Sequence, residues 1–229
     1  MERILSWATV KELRAGANPA QWRGHLDHVF PKRSKVRSVV HHRALPPRQV
    51  PDLMAALSQE NCIASHALRF LTLTACRTNE VIGAKWSEFD LDGKLWTIPK
   101  ERMKARRAHR VPLSRPALRL LEEMAKDQAG EFVFWFKKPN RPLSNMAMLT
   151  LLRRMKRKDV VPHGLRSTFR TWAAESTHYP REVCEQALAH TISSATEAAY
   201  QRGDLLERRR RLMEDWGAFV MRPKKDDRS

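Results

Sequence analysis

The sequence predicts a mainly α-helical protein that carries a small antiparallel β-sheet of three strands, an α+β fold. Three observations predict it. Beyond residue 50, apolar side chains recur at helical spacing in one segment after another, as at Leu205, Leu212, Met213, Trp216, Phe219 and Val220, the pattern of helices with one buried face. Short extended runs interrupt that period, and two of them flank Asp92-Gly93, a dipeptide that favours a hairpin turn. Hydrophobic residues make up 42% of the 229, enough for one ordinary domain plus a fragment, or for two small domains.

Taken in chain order, residues 2–15 and 19–30 read as two short helices separated by Gly16-Ala17-Asn18-Pro19. Two helices of this size cannot bury both faces alone, so they must lean on the rest of the chain or on a partner. The stretch from Pro31 to Pro51 is basic and rich in proline and reads as an extended linker, with a domain boundary near residues 46 to 50. Helices are expected at 50–57, 63–75, 79–84, 115–126, 145–157, 164–175, 181–189, 194–201 and 205–220. The strands are expected at 86–91, 95–99 and 109–113, and residues 222–229 as a frayed tail. The run Arg208 to Arg211 reads as a solvated face, because consecutive residues cannot share one side of a helix.

Charge supplies the first functional clue. Forty-three Lys plus Arg face 25 Asp plus Glu, a formal net charge of +18. A folded surface of that sign attracts polyanions, nucleic acid above all, with RNA packing and anionic membranes as competitors. The three cysteines, Cys62, Cys76 and Cys184, show no paired spacing that would clip a metal, and their odd number fits a reducing cytoplasm. The most apolar stretch, Phe70 to Cys76, is far shorter than a membrane span, and the amino terminus does not resemble a signal peptide.

Four segments carry residues suited to phosphate chemistry. In Pro162-His163-Gly164-Leu165-Arg166-Ser167-Thr168-Phe169-Arg170, helical spacing puts His163, Arg166 and Arg170 on one side and Leu165 and Phe169 on the other. The planar guanidinium fork suits a phosphate, and the helix start adds a favourable dipole. Arg77 sits at the junction of an apolar helix with the next one, and Glu80 three residues on is within reach as its partner. Lys100, Arg102, Lys104, Arg106 and Arg107 crowd a basic loop between two strands, placed to reach a DNA groove or to position a phosphate. Finally, His190 is followed ten residues later by Tyr200 and then by Arg202. Tyr200 lies among small residues that can bring it to a site, whereas the other tyrosine, Tyr179, sits in a His-Tyr-Pro loop. Taken alone, the first segment also reads as a surface face and the Arg77–Glu80 pair as a structural ion pair.

Together they resemble a family. In order, Arg77, Lys104, His163-x-x-Arg166, His190 and Tyr200 match the catalytic set of the tyrosine recombinases, the phage integrase family. The stretches ERMKxRRxHxVPLS, HGLRxTFRTWA, LAH and AAYxR are similar to those of prophage and genomic-island integrases. The resemblance spans about residues 50 to 221 and implies a catalytic domain at 47–221. It also implies that residues 1–46 are the last helices of a core-binding domain. Asn79 stands where the family pattern has glycine, a departure expected to do little damage because asparagine tolerates left-handed geometry.

The resemblance implies a reaction without metal, nucleotide or other cofactor. Tyr200 would attack a DNA phosphodiester to give a 3′-phosphotyrosine, with Arg77, Arg166 and His190 meeting the charge on the non-bridging oxygens. His163 would accept the phenol proton, Lys104 would protonate the departing 5′-oxygen, and Glu80 would support Arg77. Lys100, Arg102, Arg106, Arg107, Arg170 and Arg202 are the DNA-binding candidates. The implied partners are double-stranded DNA at attachment-type sites, three further copies of the chain in a tetramer on DNA formed from free monomers, and DNA-bending accessory proteins. The implied location is cytoplasmic, on the nucleoid when bound, with no membrane. Two other readings compete: a type IB topoisomerase-like enzyme, and a truncated non-catalytic DNA-binding remnant of an integrase. Because phosphate contacts should dominate binding, log affinity is expected to fall by about 0.9 per log unit of salt for each phosphate neutralised. A salt titration of duplex binding checks this, and a flat response would contradict a DNA-binding role.

Overall fold

The computed structural model describes residues 1–31, 43–136, 138–190 and 203–223, with the backbone alone at 138 and 139. The expected helix at 194–201, most of the linker and the end of the tail lie outside these residues. The chain divides into two compact units, Met1–His41 and His42–Ser229.

In the first unit, α1 (Glu2–Val10) is shorter than expected, and none of its residues is buried. A kinked turn at Trp22–Leu26 follows, broken where Gly24 takes φ 72°, and runs into Asp27–Val29. The Asn18 side chain ties the loop back to α1 by donating to the Glu2 carbonyl at 2.8 Å and the Ser6 hydroxyl at 2.7 Å.

The second unit holds the core. It contains α2 (Val50–Ser58), α3 (Ile63–Thr74), α4 (Thr78–Ile82), β1 (Phe89–Asp90), β2 (Leu95–Ile98), β3 (His109–Pro112), α5 (Arg115–Lys126), β4 (Trp135–Phe136), β5 (Lys138–Pro142), α6 (Ala147–Arg154), α7 (Gly164–Ser176), α8 (Arg181–Ala187) and α9 (Leu206–Val220). Helix α3 is central: Ala67, Leu68, Phe70, Leu71 and Leu73 are all buried, so it is apolar nearly all round and packs against α2, α4, α5, α6 and α9. Its last turn leaves carbonyls without intrahelical partners. The indole N–H of Trp216 on α9 reaches one of them, Thr72, at 2.7 Å.

The three-stranded sheet is antiparallel in the order β1-β2-β3, with Trp96 opposite Phe89 and Val111, and Ile98 opposite His109. Alternation along β2 sends Trp96 and Ile98 into the core, where Trp96 stacks on Phe89 at 5.3 Å and meets Phe70 at 5.4 Å. The turn before β2 differs from a two-residue hairpin. Lys94, not Gly93, takes the positive φ of 52°, while the Gly93 N–H caps the Asp90 carboxylate at 2.8 Å. A Cβ on Gly93 would fall 2.1 Å from the other oxygen of that carboxylate, so a larger residue there would displace the Asp90 side chain from this position.

Other elements also depart from expectation. The first strand is shortened because Trp86–Glu88 forms a tight helical turn, with the Trp86 N–H bonded to the Glu131 carbonyl at 3.0 Å. The unexpected β4–β5 hairpin pairs Trp135 with Pro142. Helix α6 stops early because Lys156 turns left-handed at φ 59°, closing the end with an N–H bond from Arg157 to the Leu152 carbonyl at 2.8 Å.

The segment expected to be linker up to Pro51 enters this unit earlier. Leu45 is buried in the core, the Leu45 carbonyl accepts the Thr168 hydroxyl at 2.7 Å, and Arg43 donates to the Lys158 carbonyl at 2.7 Å. This strap crosses the start of α7 so closely that a Cβ on Gly164 would lie 1.9 Å from the Arg43 carbonyl oxygen. Gly164→Ala is expected to destabilise the protein by about 1–3 kcal/mol through overpacking against main chain that cannot step aside. Urea denaturation of the two proteins measures the difference.

Candidate active site

The left-handed residue Ala75, at φ 51°, ends α3 and turns the chain sharply. Cys76 follows in the core, and Arg77 is the extended residue that caps α4. Glu80 reaches back across the first turn: its carboxylate accepts the Arg77 backbone N–H at 2.7 Å and the guanidinium at 2.8 Å. With only 3% of its surface exposed, this carboxylate needs both donors. Asn79 lies inside α4 with a helical backbone, so its tolerance of left-handed geometry is not used. The second Arg77 nitrogen extends to the Ala189 carbonyl at 3.2 Å.

His163 caps α7 and Arg166 sits in its first turn. The expectation of an open polar face there is corrected: Arg166 is only 4% exposed. Its guanidinium donates to the Ala75 carbonyl and to the Leu188 carbonyl, the latter at 2.6 Å. These acceptors stand at the carboxyl ends of α3 and α8, where the helix dipole favours a cation. Burial, then the nearby Arg77 charge, lowers the Arg166 pKa from its usual value, yet a guanidinium stays charged near neutrality.

His190 completes the cluster. Its Nε2 lies 3.3 Å from Arg166 and its Nδ1 lies 2.6 Å from Glu185. A guanidinium has donors only, so Nε2 accepts and the ring proton sits on Nδ1, donated to Glu185. Glu185 also accepts from Arg170 at 2.7 Å. Burial raises this carboxyl's pKa, but the hydrogen bonds from Arg170 and His190 outweigh that and hold it below the usual range. Glu185 was not singled out in the sequence. The signal was its position four residues after Arg181 and five before His190.

Arg77, Glu80, Lys104 and His163 share a cleft of about 640 Å³, lined also by Thr78, Asn79, Glu101, Arg102, Met103 and Arg106. Lys100, Lys104, Arg106 and Arg107 are exposed on the loop between β2 and β3. Arg102 is instead turned inward onto Glu88 and the Glu80 carbonyl, and Arg170 is engaged by Glu185. Tyr200 and Arg202 lie outside the described residues. Tyr179 borders a different cavity and donates its hydroxyl to Asp215 at 2.6 Å. Burial and that carboxylate push its pKa up to about 12, which makes it a poor nucleophile at neutral pH. Cys76, beside Arg77, is held protonated, because burial drives its thiol up to about 12. Among the described residues no group of three or more His, Cys, Asp or Glu could hold a metal ion, and no helix is long and apolar enough to cross a membrane.

The arginine run on α9 does not form a uniformly solvated face. Arg209 is 1% exposed and donates to the Arg110 carbonyl and, at 2.6 Å, to that of Asp204. The Asp204 carboxylate also takes Arg110 at 2.7 Å and Arg209 at 3.0 Å. This anchors the start of α9 on β3.

Comparison with known proteins places this geometry in context. A family model described as the phage integrase family matches residues 43–205. Prophage integrase IntA of Escherichia coli (strain K12) is 38% identical over 182 residues, covering 77% of this chain and 44% of that protein. The chain spans about half the length of the curated relatives it matches. Among solved structures, a lambda integrase (75-356) dimer bound to a COC′ core site aligns with TM-score 0.60 and 18% identity, over 83% of this chain and 69% of that one. A lambda integrase tetramer bound to a Holliday junction aligns with TM-score 0.58 and 17% identity, over 84% and 55%. These likenesses show the fold.

His109, on β3, gives the region a measurable pH signature. Burial, then the Arg209 charge, lowers its pKa from 6.5 to about 4, against the pull of Glu80 and the Ala187 carbonyl. Between these pH values the unfolded chain binds a proton that the folded chain refuses, so stability falls as pH falls from about 6.5 towards 4. The expected slope is on the order of 1 kcal/mol per pH unit. His109→Gln should remove that component from the pH dependence of urea unfolding.

Proposed function

The chain belongs to the phage integrase family, and from that membership we propose that it is a tyrosine-type site-specific recombinase that cleaves and rejoins DNA through a 3′-phosphotyrosine intermediate. The observation that carries the proposal is the meeting of Arg77, Arg166 and His190 beside a cleft that Lys104 and His163 also line. Four separate stretches of sequence contribute those five residues. An inert scaffold has no need of two guanidinium groups held together against their mutual repulsion, whereas a phosphate passing through a five-coordinate transition state does.

In the proposed step the Tyr200 oxygen attacks the scissile phosphorus, and its proton passes to His163. A phenol of pKa about 10 is mostly protonated at neutral pH, and the positive field of the two arginines favours the phenolate. Arg77 and Arg166 hold the non-bridging oxygens as charge builds on them. His190, oriented by Glu185, adds a hydrogen bond to the same oxygens. The bond to the 5′-oxygen breaks, its electron pair leaves with that oxygen, and Lys104 supplies the proton. The phosphodiester energy is kept in the phosphotyrosine bond, so the 5′-hydroxyl of a second strand can reverse the step without ATP. Loss of Arg77 or Arg166 should slow cleavage by about 10² to 10³.

The DNA partner follows from the basic surface and the family, and Lys100, Arg106, Arg107 and Arg202 are the proposed phosphate contacts. Strand exchange between two duplexes requires four active sites, so a tetramer on attachment-type DNA is the proposed working assembly, with a cytoplasmic, nucleoid-bound location. The proposed catalytic domain, expected at 47–221, is extended back to Arg43 by the buried strap, and the residues before it are the proposed last helices of a core-binding domain.

The test is covalent trapping. Nicked duplexes taken from the protein's own genomic flanks are mixed with it and denatured in detergent, beside Tyr200→Phe. The expected result is a DNA-shifted band that the variant loses while retaining duplex affinity. A band that persists in the variant removes Tyr200 from the mechanism. Binding without any band makes the chain a non-catalytic DNA-binding protein. Relaxation of plasmid without rejoined products would instead indicate topoisomerase chemistry.

A further inference from the structure

Lys104 stands on an exposed loop, and its long side chain has no packed surface of its own to aim it. What the structure fixes is the main chain on either side. Met103, immediately before it, is buried. Arg106 takes a left-handed backbone at φ 54° and bonds its N–H to the Met103 carbonyl at 3.0 Å, so Lys104 is the second residue of a tight turn.

The residue before Met103 is the most heavily bonded in the loop. One Arg102 nitrogen donates to both carboxylate oxygens of Glu88, and the other donates to the Glu80 carbonyl, with the Asn79 carbonyl at 3.5 Å. Glu88 is itself fixed to β2, where the Trp96 indole N–H donates to it at 2.9 Å. Space is reserved for the guanidinium: a Cβ on Gly83 would stand 2.9 Å from it. Glu80 is therefore gripped at both ends, its carboxylate by Arg77 and its carbonyl by Arg102.

We infer that Arg102 is a positioning residue for Lys104: by bridging Glu88 to the main chain of Glu80, it locks the loop so that the Lys104 ammonium enters the cleft at a fixed height beside Arg77. This rests on the reading of Lys104 as the proton donor to the leaving 5′-oxygen. In that step the phenolic oxygen bonds to phosphorus, the P–O5′ bond breaks, and O5′ takes the proton from Lys104. Arg102 is given no role on the phosphate or the leaving group, because both of its terminal nitrogens are bonded within the protein. Its guanidinium, expected at the sequence level on DNA, is occupied within the protein by three acceptor residues. A planar fork is needed, since one lysine ammonium cannot hold a carboxylate on one side and a carbonyl on the other with the same geometry.

The leaving group supplies the test. A duplex with sulfur in place of the bridging 5′-oxygen at the scissile phosphate expels a thiolate, whose conjugate acid has a pKa of about 8.5 and so needs little help from a proton donor. Single-turnover cleavage is measured on oxygen and sulfur duplexes with the wild type, Arg102→Ala, Arg102→Lys, Lys104→Ala and Arg77→Ala. On oxygen, both Arg102 variants should be slowed by about 10- to 100-fold. On sulfur they should return to within about 3-fold of the wild type, following Lys104→Ala, while Arg77→Ala stays slow on both. Arg102→Lys keeps a cation beside Glu88 and so guards against simple unfolding. Rescue of Lys104→Ala but not of the Arg102 variants overturns the inference, as does an oxygen rate unchanged by either Arg102 substitution. Failure to rescue Lys104→Ala overturns the proton-donor reading itself, and this inference with it.

Discussion

A buried guanidinium without a carboxylate partner constrains the second unit more than any other group. Arg166 is held by the carbonyls of Ala75 and Leu188, so two helices must end at the same place with their terminal carbonyls turned inward. Both chains turn sharply there through alanines in left-handed geometry, Ala75 at 51° and Ala189 at 49°. The close approach of the Arg43 strap over Gly164 seats the helix start that carries Arg166, and Thr168 is tied to Leu45 one turn further on. A charge in a dry site is costly unless its N–H groups are met. Helix α7, the end of α3 and the end of α8 therefore have one mutually consistent arrangement.

Around this cation the charges alternate. Arg77 repels Arg166, and the buried Glu80 offsets part of that repulsion through its ion pair with Arg77. On the far side, Glu185 is shared by Arg170 and His190. Each of these two carboxylates is thus paired with cations of the cluster. The carboxylates hold the cations in place, and the cluster keeps its acidic groups paired while the surface around it remains basic.

Much of this architecture was legible in the sequence. Helix α5 falls on the expected residues 115–126, because its apolar stripe and the proline in its first turn are local signals. The strands β2 and β3 were visible from alternation and from the turn between β1 and β2. The approach of Arg77, Lys104, His163, Arg166 and His190 was legible through resemblance and not through periodicity. Burial of Arg166 and Arg209 was not legible at all: a helical wheel counts an arginine as polar, and only the carbonyls gathered from distant elements make its burial tolerable. The β4–β5 hairpin escaped notice because its second strand carries two prolines and basic residues, a composition that argues against pairing. Lys94 and Lys156 occupy left-handed positions where glycine would be the signal sought.

Cys76 adds a last consequence. Its thiol is wedged between Ala75 and Arg77, wholly enclosed and held protonated with a pKa of about 12, while the reactive form of a cysteine is the exposed thiolate. An alkylating reagent can therefore reach it only when the turn between α3 and α4 opens. That turn includes Ala75, whose carbonyl Arg166 holds. Cys76 is in effect a clock built into the hub: its labelling rate under native conditions counts the openings of the arginine cluster and converts them into a local free energy.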